Sequence, residues 1–134
     1  MEMWRQTWRR GVEPCLTLEG LRSLEAALDS DDKRLHQGVT TTPPPLMAVE
    51  DWPCEGACVI GLSHWLGDGL TTVGEVGAAF ANTCYSVDTR MGEPAAVRWF
   101  LNWADETPRG EMIRQLLPEV RAAVEARTAK AVAA

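Results

Sequence analysis

The sequence predicts an all-α protein, a compact single-domain bundle of about six or seven helices. Two patterns support this prediction. Apolar residues recur at spacings of three and four in several segments, as on one face of a helix, and no segment alternates clearly between apolar and polar residues. With 134 residues, of which 46% are hydrophobic, the chain is long enough to bury a core of its own.

The first 37 residues are predicted to form a small helical portion. Trp4 and Trp8 are one helical turn apart in "WRQTWRR", where they would pack on the rest of the protein. Four leucines then follow at helical spacing, and Thr17 precedes them as an N-cap that accepts a backbone hydrogen bond. These leucines are Leu18, Leu21, Leu24 and Leu28.

Residues 38–46, "GVTTTPPPL", are predicted to be a connector between this portion and the main helical body at 47–131. Three successive prolines favour an extended polyproline II conformation, and no helix continues through them. Residues 57–66 are almost continuously apolar, so periodicity does not separate a buried helix from a buried strand. Pro53 at a first helical position favours the helix; a strand would make the fold α+β.

The next two helices begin and end at recognisable signals. Thr72 and Glu75 form the pattern of a capping box, which starts a helix that would end near Gly92. Pro94 suits the first turn of the following helix, where Trp99 and Trp103 lie one turn apart. Tryptophan is common at protein interfaces, so these two rings are predicted to bind a partner.

A last helix is predicted after Thr107 and Pro108, with its apolar stripe formed by Met112, Leu116 and Val120. Pro118 lies inside this pattern. Because proline lacks the backbone N–H and clashes with the preceding turn, it is expected to kink the helix or divide it after Leu117.

Charge is distributed unevenly along the chain. No lysine or arginine lies between Arg34 and Arg90, and that stretch carries six acidic residues, Glu50, Asp51, Glu55, Asp68, Glu75 and Asp88. It therefore predicts an acidic surface, with Glu50, Asp51, Glu55 and Asp68 as candidate contacts for a basic partner. The N-terminal arginines are also expected to meet this acidic middle of the chain. A base-free stretch disfavours nucleic-acid binding, which requires clustered lysine and arginine.

Four residues suggest an alternative site: Cys54, Cys58, His64 and Cys84 would supply ligands of the type that zinc prefers. The C-x3-C spacing, however, matches neither a zinc knuckle nor a C-x2-C redox motif, and neighbouring acids disfavour a reactive thiolate. Buried apolar thiols are therefore the favoured interpretation. The alternative function is a small metal- or thiol-dependent enzyme or sensor, with zinc as its cofactor.

No catalytic motif is recognisable in this sequence. It lacks a long apolar run for crossing a membrane and an apolar segment typical of a secretion signal, so we expect a cytoplasmic protein without membrane contact. The sequence therefore predicts a small non-catalytic adaptor, accessory or inhibitor without a cofactor. It would bind another protein through its acidic central surface and its tryptophan-rich helix.

Overall fold

A computed structural model describes residues 1–133. The protein is mostly helical, as predicted, and within these residues it has six α-helices and one small two-stranded sheet. The helices are α1 (Met3–Thr7), α2 (Leu18–Asp29), α3 (Val59–Leu62), α4 (Val73–Met91), α5 (Arg98–Glu106) and α6 (Arg109–Ala133). The strands are β1 (Thr41–Thr42) and β2 (Gly56–Ala57), which pair antiparallel.

Short helical turns of other types extend two of these helices. α1 continues into a π-helical turn at Trp8–Val12 and a 3₁₀ turn at Glu13–Cys15. α3 continues into a second π-helical turn at Ser63–Gly67. Another 3₁₀ turn, Met47–Val49, lies between the strands.

Local signals in the sequence start and end α2 and α4 as predicted. The Thr17 hydroxyl accepts a hydrogen bond from the Gly20 N–H at the start of α2. At the start of α4, Thr72 and Glu75 form the reciprocal bonds of a capping box. α4 ends at Gly92, whose φ of 70° is the left-handed conformation that glycine adopts at little cost.

The N-terminal helix packs on the body through its tryptophans, as expected. Trp4 stacks on Trp103 of α5 with ring centroids 3.6 Å apart, and Trp8 is 1% exposed against Phe100. The expectation that the N-terminal arginines meet the acidic middle of the chain is wrong for two of them. Arg5 and Arg9 instead form ion pairs with Glu119 of α6, because α6 lies beside α1 in the fold.

Residues 57–66 combine the two predicted alternatives. Gly56 and Ala57 form β2, and Ala57 also bridges to Leu35; the helix begins only at Val59, with Cys58 as its N-cap. Pro53 is therefore not at a helix start. Tertiary strand pairing holds the chain extended up to Cys58, and local sequence gives no sign of that pairing.

The connector and α6 also differ in detail from the sequence prediction. Thr41 and Thr42 of the connector form β1, and the Thr42–Pro43 peptide bond is cis. α6 is one continuous helix with Pro118 inside it, so the predicted division after Leu117 is wrong. Met112, Leu116 and Val120 are fully buried on both sides of the proline, and their packing holds the helix together.

The core forms where these elements meet. It includes residues of the N-terminal helix, of α2 to α6 and of the segment between Leu35 and Ala57. None of the helices in the described residues combines the length and the apolar character needed to cross a membrane.

Candidate functional site: the groove along α4

One face of α4 is built of small residues. Gly74, Gly77, Ala78 and Ala81 recur at spacings of three, one and three, which places them along the same side of the helix. Val76 and Val87 point the other way and are fully buried. From Gly77 onward the small-residue side faces outward and forms the floor of an open surface feature, whereas at Gly74 it is covered by Glu50.

That feature is a groove of about 370 Å³, which we call the α4 groove. Its outer wall is the 45–50 segment, where the Leu46 side chain is 64% exposed and Met47 is 93% exposed. Its lining residues are Thr40, Pro45, Leu46, Met47, Glu50, Gly74, Gly77, Ala78 and Phe80. The groove is thus mainly apolar, with a single carboxylate at its rim.

A second and larger space adjoins the groove at Thr40 and Phe80. This α4–α5 cavity has a volume of about 510 Å³ and lies between α4, α5 and the loop 38–40. Its lining residues are Gly38, Val39, Thr40, Cys58, Phe80, Ala81, Cys84, Asp88, Ala95, Val97, Arg98, Leu101 and Asp105. Together the two spaces follow α4 from Gly74 to Asp88.

Both carboxylates in the cavity hold backbone groups in place. Asp88 accepts hydrogen bonds from the Ala95 and Val97 N–H groups at 3.1 and 2.8 Å, and Asp105 accepts one from Gly38 at 3.0 Å. Ala95 has a φ of 60°, a left-handed conformation that is strained for a residue other than glycine. Asp88 therefore stabilises a strained turn at the entrance to α5.

The two thiols in the cavity are neutral at physiological pH. Burial raises the pKa of Cys58 to about 12, and burial followed by the charge of Asp88 raises that of Cys84 to about 11. Burial also raises the pKa values of Cys15 and Cys54. Because the thiolate is the reactive form, these surroundings suppress nucleophilic thiol chemistry.

The predicted zinc ligands have separate hydrogen-bond partners. The Cys54 thiol donates to the Gly56 carbonyl, Cys58 accepts from Gly61, and His64 binds two other side chains. Cys58 and Cys84 line the same cavity. Within residues 1–133, no group of three or more histidine, cysteine, aspartate or glutamate side chains is placed to hold a metal ion.

His64 instead belongs to a buried polar network, which we call the His64 network. Its Nδ1 lies 2.7 Å from Asp68 Oδ2, and its Nε2 lies 2.7 Å from Thr83 Oγ1. Thr17 donates to the other oxygen of Asp68 at 2.6 Å. The network therefore connects the start of α2, the second π-helical turn and the middle of α4.

The order Asp68–His64–Thr83 has the connectivity of an acid, a base and a hydroxyl nucleophile. Thr83 is only 6% exposed, however, and it lines neither the α4 groove nor the α4–α5 cavity. A substrate would have no space beside its hydroxyl in either opening. The network therefore supports a structural function.

The predicted partner contacts lie in several places. Glu50 is at the rim of the α4 groove, while Asp51 and Glu55 are exposed elsewhere on the neighbouring loop. Asp68 is exposed but engaged by His64 and Thr17. The four acids therefore do not line one common opening.

The two predicted interface tryptophans also differ from each other. Trp103 is half-buried and stacked on Trp4, whereas Trp99 is 37% exposed on α5. Trp103 thus has a packing role, and a partner contact by Trp99 stays a prediction.

The sequence analysis did not predict the groove floor or the position of Arg98. A signal for the floor was present, because the small residues at 74, 77, 78 and 81 share a helical face opposite the valines. The walls gave no such signal, because Leu46, Met47 and Arg98 reach the site from distant parts of the chain.

Comparisons with protein-family models, with curated proteins and with solved structures find no match for this chain.

Proposed function

We propose that this protein is a non-catalytic binding domain whose α4 groove receives an apolar and basic segment of a partner protein. The observation that carries the proposal is an open apolar groove with an acidic rim and exposed walls at Leu46 and Met47. Soluble proteins seldom leave adjacent large apolar side chains this exposed unless they contact something.

The small floor residues favour a close approach by a peptide backbone. A Cβ added at Gly77 would meet only Pro45 Cβ, at 3.8 Å, so the space above this glycine is open. Glycine in the middle of a helix costs about 1 kcal/mol relative to alanine. An alanine would fit here and would stabilise the helix, so we attribute the glycine to the need for an unobstructed floor.

Charge determines the kind of partner. Glu50, Asp88 and Asp105 line the combined opening, against Arg98 as the only basic lining residue of the two spaces. The absence of lysine and arginine between Arg34 and Arg90 extends this imbalance along the groove walls. Complementary charge steers association and disfavours acidic competitors, so the expected segment carries net positive charge.

The test uses one blocking variant and one matched control in a capture experiment from lysate of the source cells. Gly77→Leu should fill the groove and reduce capture of a wild-type partner at least about tenfold, since the added side chain occupies the floor. Gly110→Leu places the same side chain on α6, where nothing lies within 4 Å, and should leave capture unchanged. Both variants are first checked for an unchanged fold by circular dichroism.

A second variant tests the charge argument separately from the shape argument. Glu50→Gln should weaken capture about two- to fivefold at low salt and by less at high salt, because an exposed rim charge is screened.

Equal capture by Gly77→Leu and wild type would overturn the proposal. Capture of a second copy of this chain would also overturn it in favour of self-association.

A further inference from the structure

The α4–α5 cavity contains one charged group without a partner. Arg98 is an exposed residue at its edge, and among residues 1–133 its guanidinium forms neither an ion pair nor a side-chain hydrogen bond. The other charged lining groups, Asp88 and Asp105, are already bound to backbone N–H groups. Five N–H donors of one arginine thus remain free at the edge of a cavity.

Its position in the helix makes Arg98 unusual as well. It is the first residue of α5, and the same helix carries Asp105 and Glu106 in its last turn. The helix dipole favours negative charge at the start and positive charge at the end, so both ends have the less stable sign. Asp105 has an evident compensation in its bond to Gly38, whereas Arg98 has none within the described chain.

Apolar side chains line the same cavity as Arg98. Phe80, Val97 and Leu101 line it, and Arg98 and Leu101 lie one turn apart on the same face of α5. The site therefore presents a bidentate cation next to an apolar space. Arginine in such a setting selects planar carboxylates, with two parallel N–H···O bonds.

We propose that the α4–α5 cavity receives the C-terminal residue of the partner segment, with its free carboxylate on Arg98 and its apolar side chain between Phe80 and Leu101. Only a chain-terminal residue carries a carboxylate and an apolar side chain on the same Cα. The basic residues that precede it would then lie along the α4 groove toward Glu50, which adjoins the cavity at Thr40 and Phe80. This inference rests on the proposed function and gives the bound segment its direction.

The neighbouring carboxylates oppose the binding of an anion, and Arg98 is the group that offsets them. With Arg98 present, the lining has one positive and two negative groups; without it, only Asp88 and Asp105 remain. Loss of Arg98 therefore removes the donors and also leaves a field that repels a carboxylate. Any preference for a carboxylate over its neutral amide therefore depends on the two N–H···O bonds to Arg98, which have to outweigh the two neighbouring carboxylates.

The binding test needs no knowledge of the partner. N-acetyl-leucine and N-acetyl-leucinamide are titrated into the full ¹⁵N-labelled chain, and amide shifts near Cys84, Arg98 and Leu101 are followed by NMR. The carboxylate should bind at least about tenfold more tightly than the amide, since hydrogen bonds to a charged group are the stronger ones. N-acetylglutamic acid α-amide, whose carboxylate is on the side chain, should bind more weakly than N-acetyl-leucine.

Two arginine variants make the site assignment specific. Arg98→Gln should weaken the binding of N-acetyl-leucine at least about tenfold. Arg98→Lys should retain only part of the wild-type affinity, because lysine lacks the planar guanidinium that donates two parallel hydrogen bonds. Arg114→Gln removes an exposed arginine on a different helix, α6, and should leave the binding of N-acetyl-leucine unchanged. Equal binding of acid and amide, no binding of either, or no effect of Arg98→Gln would overturn the inference.

The outcome also separates this inference from the proposed function. Gly77→Leu blocks the α4 groove and should reduce partner capture at least about tenfold, while N-acetyl-leucine still binds in the cavity. If N-acetyl-leucine fails to bind and the wild-type groove still captures its partner, the terminal-carboxylate site is wrong and the proposed function stands. If N-acetyl-leucine binds as expected but Gly77→Leu does not reduce capture, the proposed function is wrong, and the cavity is a carboxylate site without the proposed groove partner.

Discussion

Glycines on two sides of the molecule serve opposite purposes. At the contact between α2 and the second π-helical turn, a Cβ on Gly67 would overlap the backbone of Gly20, and one on Gly20 would overlap the Ser63 side chain. On the outer face of α4, a Cβ on Gly77 would have ample room. Glycine thus permits close packing on one side and leaves an opening on the other.

The polar groups differ in the same way. In the packed region, His64 and Thr83 are buried and bound to each other, and Asp68 is bound as well. At the opening, Arg98 has donors without acceptors in residues 1–133. A satisfied network stabilises a fold, whereas a free charged group beside an apolar space is available to a ligand.

The largest effect that tests this contrast is expected at the packed contact. Gly67→Ala should lower the free energy of unfolding by about 3 kcal/mol, because backbone-to-backbone overlap can be relieved only by moving α2. Urea denaturation followed by tryptophan fluorescence measures the change. A loss below about 1 kcal/mol would show that this contact is looser than the structure indicates.

The next effect concerns the buried thiol of the cavity and appears at alkaline pH. The folded state raises the pKa of Cys58 from an ordinary 9.0 to about 12, so its stabilising contribution is complete below pH 9. As pH rises from 9 toward 12, the unfolded chain ionises first, and stability falls by up to about 1.4 kcal/mol per pH unit from this group. Stability measured against pH should decline less steeply for Cys58→Ala.

Parallel curves of stability against pH for wild type and Cys58→Ala above pH 9 would contradict the raised pKa of Cys58. The other thiols, whose pKa values are also raised, contribute equally to both proteins, so the difference between them isolates Cys58.

The His64 network should give a smaller effect than the contact at Gly67. His64→Leu leaves the buried Thr83 hydroxyl without its partner, and we expect a loss of about 2 kcal/mol in the free energy of unfolding. Thr83→Ser keeps the hydroxyl and serves as the matched control, with a loss nearer 1 kcal/mol from the missing methyl group. A neutral His64→Leu variant would mean that the network adds nothing to stability.

The smallest effect, with the opposite sign, is expected at the groove floor. Gly77→Ala should raise the free energy of unfolding by about 1 kcal/mol, because alanine favours a helix and the structure has room for its methyl group. Thermal and urea unfolding measure this gain in stability, with Gly67→Ala measured in parallel for comparison. Destabilisation by Gly77→Ala would show that the space above α4 is already filled in the folded chain.

Sequence predicted those parts of the fold that local residues determine. The Thr17 cap, the Thr72–Glu75 capping box and the Gly92 terminus each involve bonds within a few residues, and all three are present. The start of α3 could not be found in this way. It depends on the pairing of β2 with β1 and on the bridge from Ala57 to Leu35, which join distant segments.

The same limit applies to the site. Glu50 was a predicted partner contact and lies at the groove rim, but Trp103 could not be assigned without knowing that Trp4 stacks on it. Arg98 became informative only when its surroundings showed an apolar cavity and no acceptor within the described residues. Composition predicted the acidic character, and only the fold placed an opening beside it.

The most direct measurement of the central claim is site-specific photocrosslinking from the groove floor. A photoreactive side chain at position 78, in the α4 groove, is compared with one at position 126, on α6, in lysate of the source cells. The account predicts that position 78 alone crosslinks a discrete partner, and that mass spectrometry maps the crosslink to an apolar segment of net positive charge. Equal crosslinking from both positions, or a crosslinked segment of net negative charge, would contradict it.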